Sequence, residues 1–246
     1  MDELGKHIAS AFDRDLEGIQ AQIIKMGGMV EEAIHNAARS LETRDEELAA
    51  KVRAGDKAID AMEEALNEEA ARVIALRAPM ASDLRIVLSV MRMSANLERI
   101  GDLSKNLAKR TGVLVQMQDI GGTATSLRRM AREVELMLAD ALDSYIQRDE
   151  ALALDVIERD RDVDQMYNTL FREFLTFMLE DPRNITACMH LHFIAKNIER
   201  MGDHVTSIAE QVVFLTSGRK PDDARVKDDR TSVDAKLSLD ITPDED

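Results

Sequence analysis

Asn96-Leu97-Glu98-Arg99-Ile100-Gly101-Asp102 and its near copy Asn197-Ile198-Glu199-Arg200-Met201-Gly202-Asp203 decide the fold. Five of the seven positions are identical at an offset of 101. Internal self-similarity of this kind marks a duplicated architectural unit. Around the first copy, Ile86, Val90, Met93, Leu97, Ile100, Ser104 and Leu107 alternate steps of four and three, the spacing of one helical face. Both copies therefore belong on long amphipathic helices.

Working outward, the repeat continues upstream. Arg44-Asp45-Glu46 recurs as Arg148-Asp149-Glu150 at an offset of 104, and at that offset Leu48 matches Leu152, Asp56 matches Asp160 and Asp60 matches Asp164. The stripe Ile23, Met26, Val30, Ile34, Ala37, Leu41 predicts a first helix over 7–41, and a break at Thr43 to Asp45 opens a second that runs to Ala78 before Pro79. A third starts near Ser82, whose hydroxyl suits an N-cap. After Gly112 the pattern loosens, and Gly121-Gly122 reads as the join between two units. Helices are then expected at 124–147, 149–180 and 183–217, the last set off by Asp181-Pro182. Short connections between long helices force antiparallel neighbours. The expected fold is all-α: two tandem three-helix bundles of six long antiparallel helices, over 1–118 and 119–217, with a disordered charged tail at 218–246.

Composition excludes several classes. Four prolines, eleven glycines and 3% aromatic residues in 246 suit a helical chain. A net charge of −15, with no basic run interleaved with aromatics, argues against nucleic acid. Apolar runs such as 86–91 and 212–215 fall far short of the ~20 residues that span a bilayer, and no signal-peptide core opens the chain. The lone Cys188 suits a reducing cytoplasm and reads as a small core residue. Met26, Met62, Met93, Met166 and Met201 fall on inward stripes as core filler.

Each half carries two carboxylate pairs at i, i+4: Asp56 with Asp60 and Glu98 with Asp102, then Asp160 with Asp164 and Glu199 with Asp203. Distances from the turns put the pairs level on antiparallel neighbours. Helical phase turns Glu98 and Asp102 outward and sets Asp56 and Asp60 on a flank, so the pairs either converge on the exterior or diverge around it. Like charges at this spacing cost about 0.2–0.5 kcal/mol, and a mid-helix glycine about 1 kcal/mol. Both costs occur twice, which marks a functional surface. Gly101 and Gly202 precede the second acid of each motif, leaving room for an ion or partner. Carboxylate clusters suit iron, Mn, Mg or Ca, with zinc the weaker fit, and Arg99 and Arg200 are candidates to pair with the acids and hold them.

At these residues the chain resembles the PhoU family, through the doubled Asn-x-Glu-Arg-x-Gly-Asp motif together with Lys25-Met26-Gly27-Gly28-Met29-Val30-Glu31, Gly55-Asp56-Lys57, Ala81-Ser82-Asp83-Leu84-Arg85 and Met178-Leu179-Glu180-Asp181. The likeness spans about residues 5–217. It implies two three-helix bundles and a non-catalytic negative regulator of the phosphate-starvation response, set between the ATPase subunit of a phosphate ABC transporter and a sensor histidine kinase. It also implies metal on the acidic motifs in some members, mapped here onto the eight acids named above. A homodimer with no membrane insertion is expected. Two other readings are an acidic scaffold that docks partners without metal, and a ferritin-like di-iron enzyme. The enzyme needs Glu-x-x-His on two helices, whereas only Glu32 to His35 fits and its second-half equivalent is Leu136 to Ala139.

Overall fold

The computed structural model describes residues 3–219, with side chains from residue 14 onward. Six helices follow one another: α1 (Glu3–Thr43), α2 (Glu46–Arg77), α3 (Ser82–Leu114), α4 (Thr123–Gln147), α5 (Glu150–Glu180) and α6 (Ile185–Ser217), with a single 3₁₀ turn at Pro182–Asn184 before the last. No strand is present among the described residues. The expected charged tail lies outside them apart from Gly218 and Arg219.

The repeated Arg-Asp-Glu triplet is a helix boundary built twice. Arg44 and Arg148 take the left-handed conformation, at φ 55° and 56°. Asp45 and Asp149 then cap the next helix, their carboxylates accepting the N–H of Leu48 at 2.9 Å and of Leu152 at 3.1 Å. The first boundary has an extra anchor. The Arg44 guanidinium donates to the carbonyls of Leu114, Val115 and Met117 at 3.1, 2.8 and 2.7 Å, covering the open end of α3.

The start of α3 differs from expectation. Ser82 is the first helical residue, the cap position is Ala81 at φ 49°, and no side chain caps the helix there. Pro79 two residues upstream constrains the approach, and the Ser82 hydroxyl turns to Asp83 Oδ1 at 3.4 Å instead. Likewise the expected start of the last helix at Arg183 falls in the 3₁₀ turn, whose Asp181 carboxylate accepts the Arg183 N–H at 3.0 Å.

Each trio, α1–α3 and α4–α6, packs as a bundle, and the trios join through α3 against α6 and α1 against α4. The apolar stripes of all six helices form one continuous core. The stripes of α1 and α3 are buried as read, except that Val87 replaces Ile86 at the start of α3. Because α3 and α6 touch helices on several sides, they bury small hydroxyls that return to their own backbone, Ser104 to the Ile100 carbonyl at 2.9 Å and Thr206 to that of Gly202 at 3.0 Å. The α1–α4 crossing rests on Gly27, where an added Cβ would run into the Leu142 side chain. Cys188 is fully buried, and burial pushes its thiol pKa up. Met26, Met93 and Met201 are buried as well, while Met62 and Met166 pack against the core from its edge.

Candidate functional site

The α2–α3 seam collects the four acids of the first half. Asp56 faces α3 and is buried at 4% exposure, Asp60 one turn further is exposed, and Glu98 and Asp102 are half-buried. The two pairs converge. Partial desolvation and then the Asp56 charge hold the Asp60 pKa above the ordinary carboxylate range, and desolvation raises Glu98 in the same sense against the pull of Arg99.

What neutralises this convergence is a lysine. Lys105 Nζ donates to Asp102 Oδ1 at 2.8 Å and, across the seam, to Asp56 Oδ2. These two hydrogen bonds raise the lysine pKa beyond its ordinary value. Arg99 reaches Glu98 Oε2 at 3.5 Å and Asp102 Oδ2 at 3.7 Å, so it pairs with the acids from the solvent side. At 63% side-chain exposure those contacts are screened and weak.

The second half repeats the acids more deeply. Asp160, Asp164 and Glu199 are all buried, at 6%, 4% and 4% exposure, and Asp203 is half-buried. Glu199 Oε1 accepts from Lys196 at 2.9 Å, while its Oε2 is buried without a partner. Burial dominates and raises the Glu199 pKa, with Asp203 and Asp164 adding to it and Lys196 opposing. The duplicated acids thus take non-duplicated lysines, since the position matching Lys105 is Thr206 and that matching Lys196 is Ala95. Both lysines stand three residues from an acid on the same helix, a spacing visible in the sequence. Arg200 is exposed and its charge bears on His204 rather than being drawn into the Glu199 pair.

The two motif glycines do something other than leave space for an ion. A Cβ on Gly101 would stand 3.1 and 3.2 Å from two carbons of Ile59 and 3.7 Å from Asp56 Oδ1. On Gly202 it would stand 3.0 Å from Asp160 Oδ1. The missing side chain therefore lets the neighbouring helix, with its carboxylate, lie directly on the helix backbone. The outward reading of Glu98 and Asp102 is corrected accordingly: both lie half-buried at the α2–α3 seam, and their second-half counterpart Glu199 is buried in the α5–α6 seam.

Among the described residues no group of three or more His, Cys, Asp or Glu side chains is placed to hold an ion. The cation position between Asp56 and Asp102 is filled by an ammonium from the chain itself. The histidines whose side chains are described, from residue 14 onward, are engaged elsewhere. His35 meets Glu135 at 3.5 Å across α1–α4, His190 Nδ1 lies 3.2 Å from Arg110, His192 stacks among Tyr167, Phe171 and Phe193, and His204 Nδ1 lies 2.9 Å from Asn96 Oδ1 across α3–α6.

Two repeated helical trios, each with an acid-rich seam that carries its own lysine, define a duplicated helical-bundle protein. The PhoU domain matches twice, over residues 23–111 and 127–212, one match per trio. The chain belongs to the PhoU family. It is 44% identical to the phosphate-specific transport system accessory protein PhoU homolog of Rhizobium meliloti over 92% of this chain and 95% of that protein. It is 46% identical to the Zymomonas mobilis homolog over the same shares. The crystal structure of PhoU from Pseudomonas aeruginosa superposes with a TM-score of 0.82 at 36% identity, covering 85% of this chain and 100% of that one. That of the phosphate transport system regulatory protein PhoU from Streptococcus pneumoniae gives 0.79 at 29% identity, covering 86% and 99%. Among the described residues, no helix is long and apolar enough to cross a membrane.

Proposed function

We propose that this chain is a cytoplasmic, non-catalytic accessory protein of a phosphate-specific transport system that represses the phosphate-starvation response, standing between the transporter ATPase subunit and a sensor histidine kinase. One observation carries this reading: the likeness to accessory proteins of that system runs through both repeats and nearly the whole length of each chain. The geometry agrees with a docking protein. Its ionisable clusters line helical seams that are already compensated from within, and their acids have lysine and arginine partners in place of a substrate cleft. In this reading the acidic seams meet partners without a metal bridge, because Lys105 supplies the cation that a metal would bring. Exposed Leu175, Leu179, Ile185, Met189 and Phe193 around the α5–α6 turn supply apolar area for a homodimer.

The test is a deletion strain carrying a phosphate-starvation reporter. Loss of the gene should leave the reporter on in abundant phosphate, and the wild-type chain should switch it off. The transporter ATPase and the kinase should co-purify with the chain in the presence of chelator. A reporter that still follows phosphate normally without the gene overturns the regulatory reading, and binding lost in chelator overturns the metal-free one.

A further inference from the structure

A second feature of the α2–α3 seam lies one turn beyond the Lys105 ion pair. There the two helices leave an open groove of about 520 Å³ lined by Ala50, Arg53, Ala54, Lys105, Asn106 and Lys109. Lys105 is held by Asp56 and Asp102. Arg53 on α2 and Lys109 on α3 are exposed and have no ion-pair or hydrogen-bond partner among the described residues. No acid lines the groove. Two uncompensated cations thus share one concavity in a chain of net charge −15, and like charges brought together cost free energy unless an anion lies between them.

The duplication sharpens the point. At the equivalent places in the second half stand Ile157 for Arg53, Glu210 for Lys109, Ser207 for Asn106 and Glu158 for Ala54. The helical frame is repeated and this charge is not, so the basic groove is a property of the first trio alone.

We infer that the groove between Arg53 and Lys109 is an anion site for a phosphoryl group. The two cations approach from different helices, so their common ligand must offer acceptor oxygens in more than one direction. A tetrahedral dianion does so, and a planar carboxylate taken by the Arg53 fork turns little toward the opposite wall. The Asn106 amide adds a neutral donor. The short side chains of Ala50 and Ala54 leave the groove open, and its volume exceeds that of one oxyanion, so the phosphoryl group either arrives free or carries a larger body with it. This site adjoins the first acidic motif through Lys105 and stands whether or not the proposed regulatory role holds.

Calorimetric titration of the full-length chain in chloride buffer tests it, with inorganic phosphate and ADP as separate probes. At least one should bind saturably at a single site. Arg53→Met and Lys109→Met should each weaken that binding about tenfold or more, the loss expected for one charge-assisted contact. Both residues are exposed, so helicity should be unchanged. Lys57→Met removes an exposed cation from the same helix outside the groove and should bind as the wild type. Phosphate binding alone identifies a free anion, and tighter ADP binding identifies a phosphorylated small molecule. The inference is overturned if neither probe saturates, or if Lys57→Met is as damaging as the groove variants.

Discussion

Replacing Lys105 by Met keeps the aliphatic stem and removes the ammonium that joins Asp56 to Asp102. Asp56 is then left at 4% exposure without the donor to its Oδ2, and its Oδ1 already lacks a partner. Breaking a fully buried ion pair costs about 3–5 kcal/mol. The Lys105 side chain is 36% exposed, so water screens the pair and the expected cost falls to about 2 kcal/mol. For a chain of this size that lowers the melting temperature by about 4–8 °C in a calorimetric or circular-dichroism scan. The pH dependence has a defined sign. The folded lysine pKa is raised, so the contribution is complete below the unfolded value of about 10.4 and is lost only as pH rises through the higher folded one. The gap between wild type and variant should therefore stay constant across neutral pH and close in strong alkali. In the Lys105→Met background, Asp56→Asn should recover stability, since it removes the stranded charge. Mn²⁺ should raise the melting temperature of Lys105→Met more than that of the wild type, because the vacated position lies among carboxylates. A variant melting within about 1 °C of wild type, or a double-mutant cycle with coupling under about 0.5 kcal/mol, refutes the assignment of Lys105 as the internal cation.

Gly27→Leu should separate α1 from α4, because even a Cβ there runs into Leu142; overpacking costs about 1–3 kcal/mol, read as a lower urea midpoint. Glu199 has a raised folded pKa, so its burial penalty sets in as pH rises from the unfolded value near 4.3 through the folded one. Glu199→Gln should flatten that fall in stability across the window while changing the neutral-pH value by about 1 kcal/mol or less, because the loss of Lys196 offsets the gain. His204 behaves oppositely, since burial depresses its pKa and its Asn96 contact ties α6 to α3. Stability from this group is present above about pH 6.5 and is lost as pH falls through the depressed folded value, with Asp203, Arg200 and Arg99 modulating the step. His204→Leu, the residue its first-half counterpart Leu103 already carries, should remove that acid step from thermal melts between about pH 4 and 7, and an unchanged profile would place the step elsewhere.

The fold was legible because two kinds of signal agreed. Periodic stripes such as Ile23 to Leu41 measure burial directly, and the copied Arg-Asp-Glu triplet marked a boundary whose purpose, a left-handed arginine followed by a capping aspartate, is local chemistry. The acids were legible as residues and illegible as an arrangement. Helical phase places a side chain relative to its own stripe, and that reference fails for a helix packed on several sides. Glu199 lies well off the Leu97-equivalent line and is still buried, because α5 covers the flank on which it sits. Gly101 and Gly202 misled for a related reason. A glycine in a helix signals close approach without saying what approaches, and here it is a carboxylate-bearing helix. The role of Lys105 needed knowledge of the opposite helix, since on its own helix it is one cation near one acid and becomes a bridge only when α2 brings Asp56 to it. The duplication therefore repeats what packing requires, the stripes, caps, glycines and buried acids, and leaves the compensating charge free to diverge. Lys105, Lys196 and the Arg53–Lys109 groove each occur once.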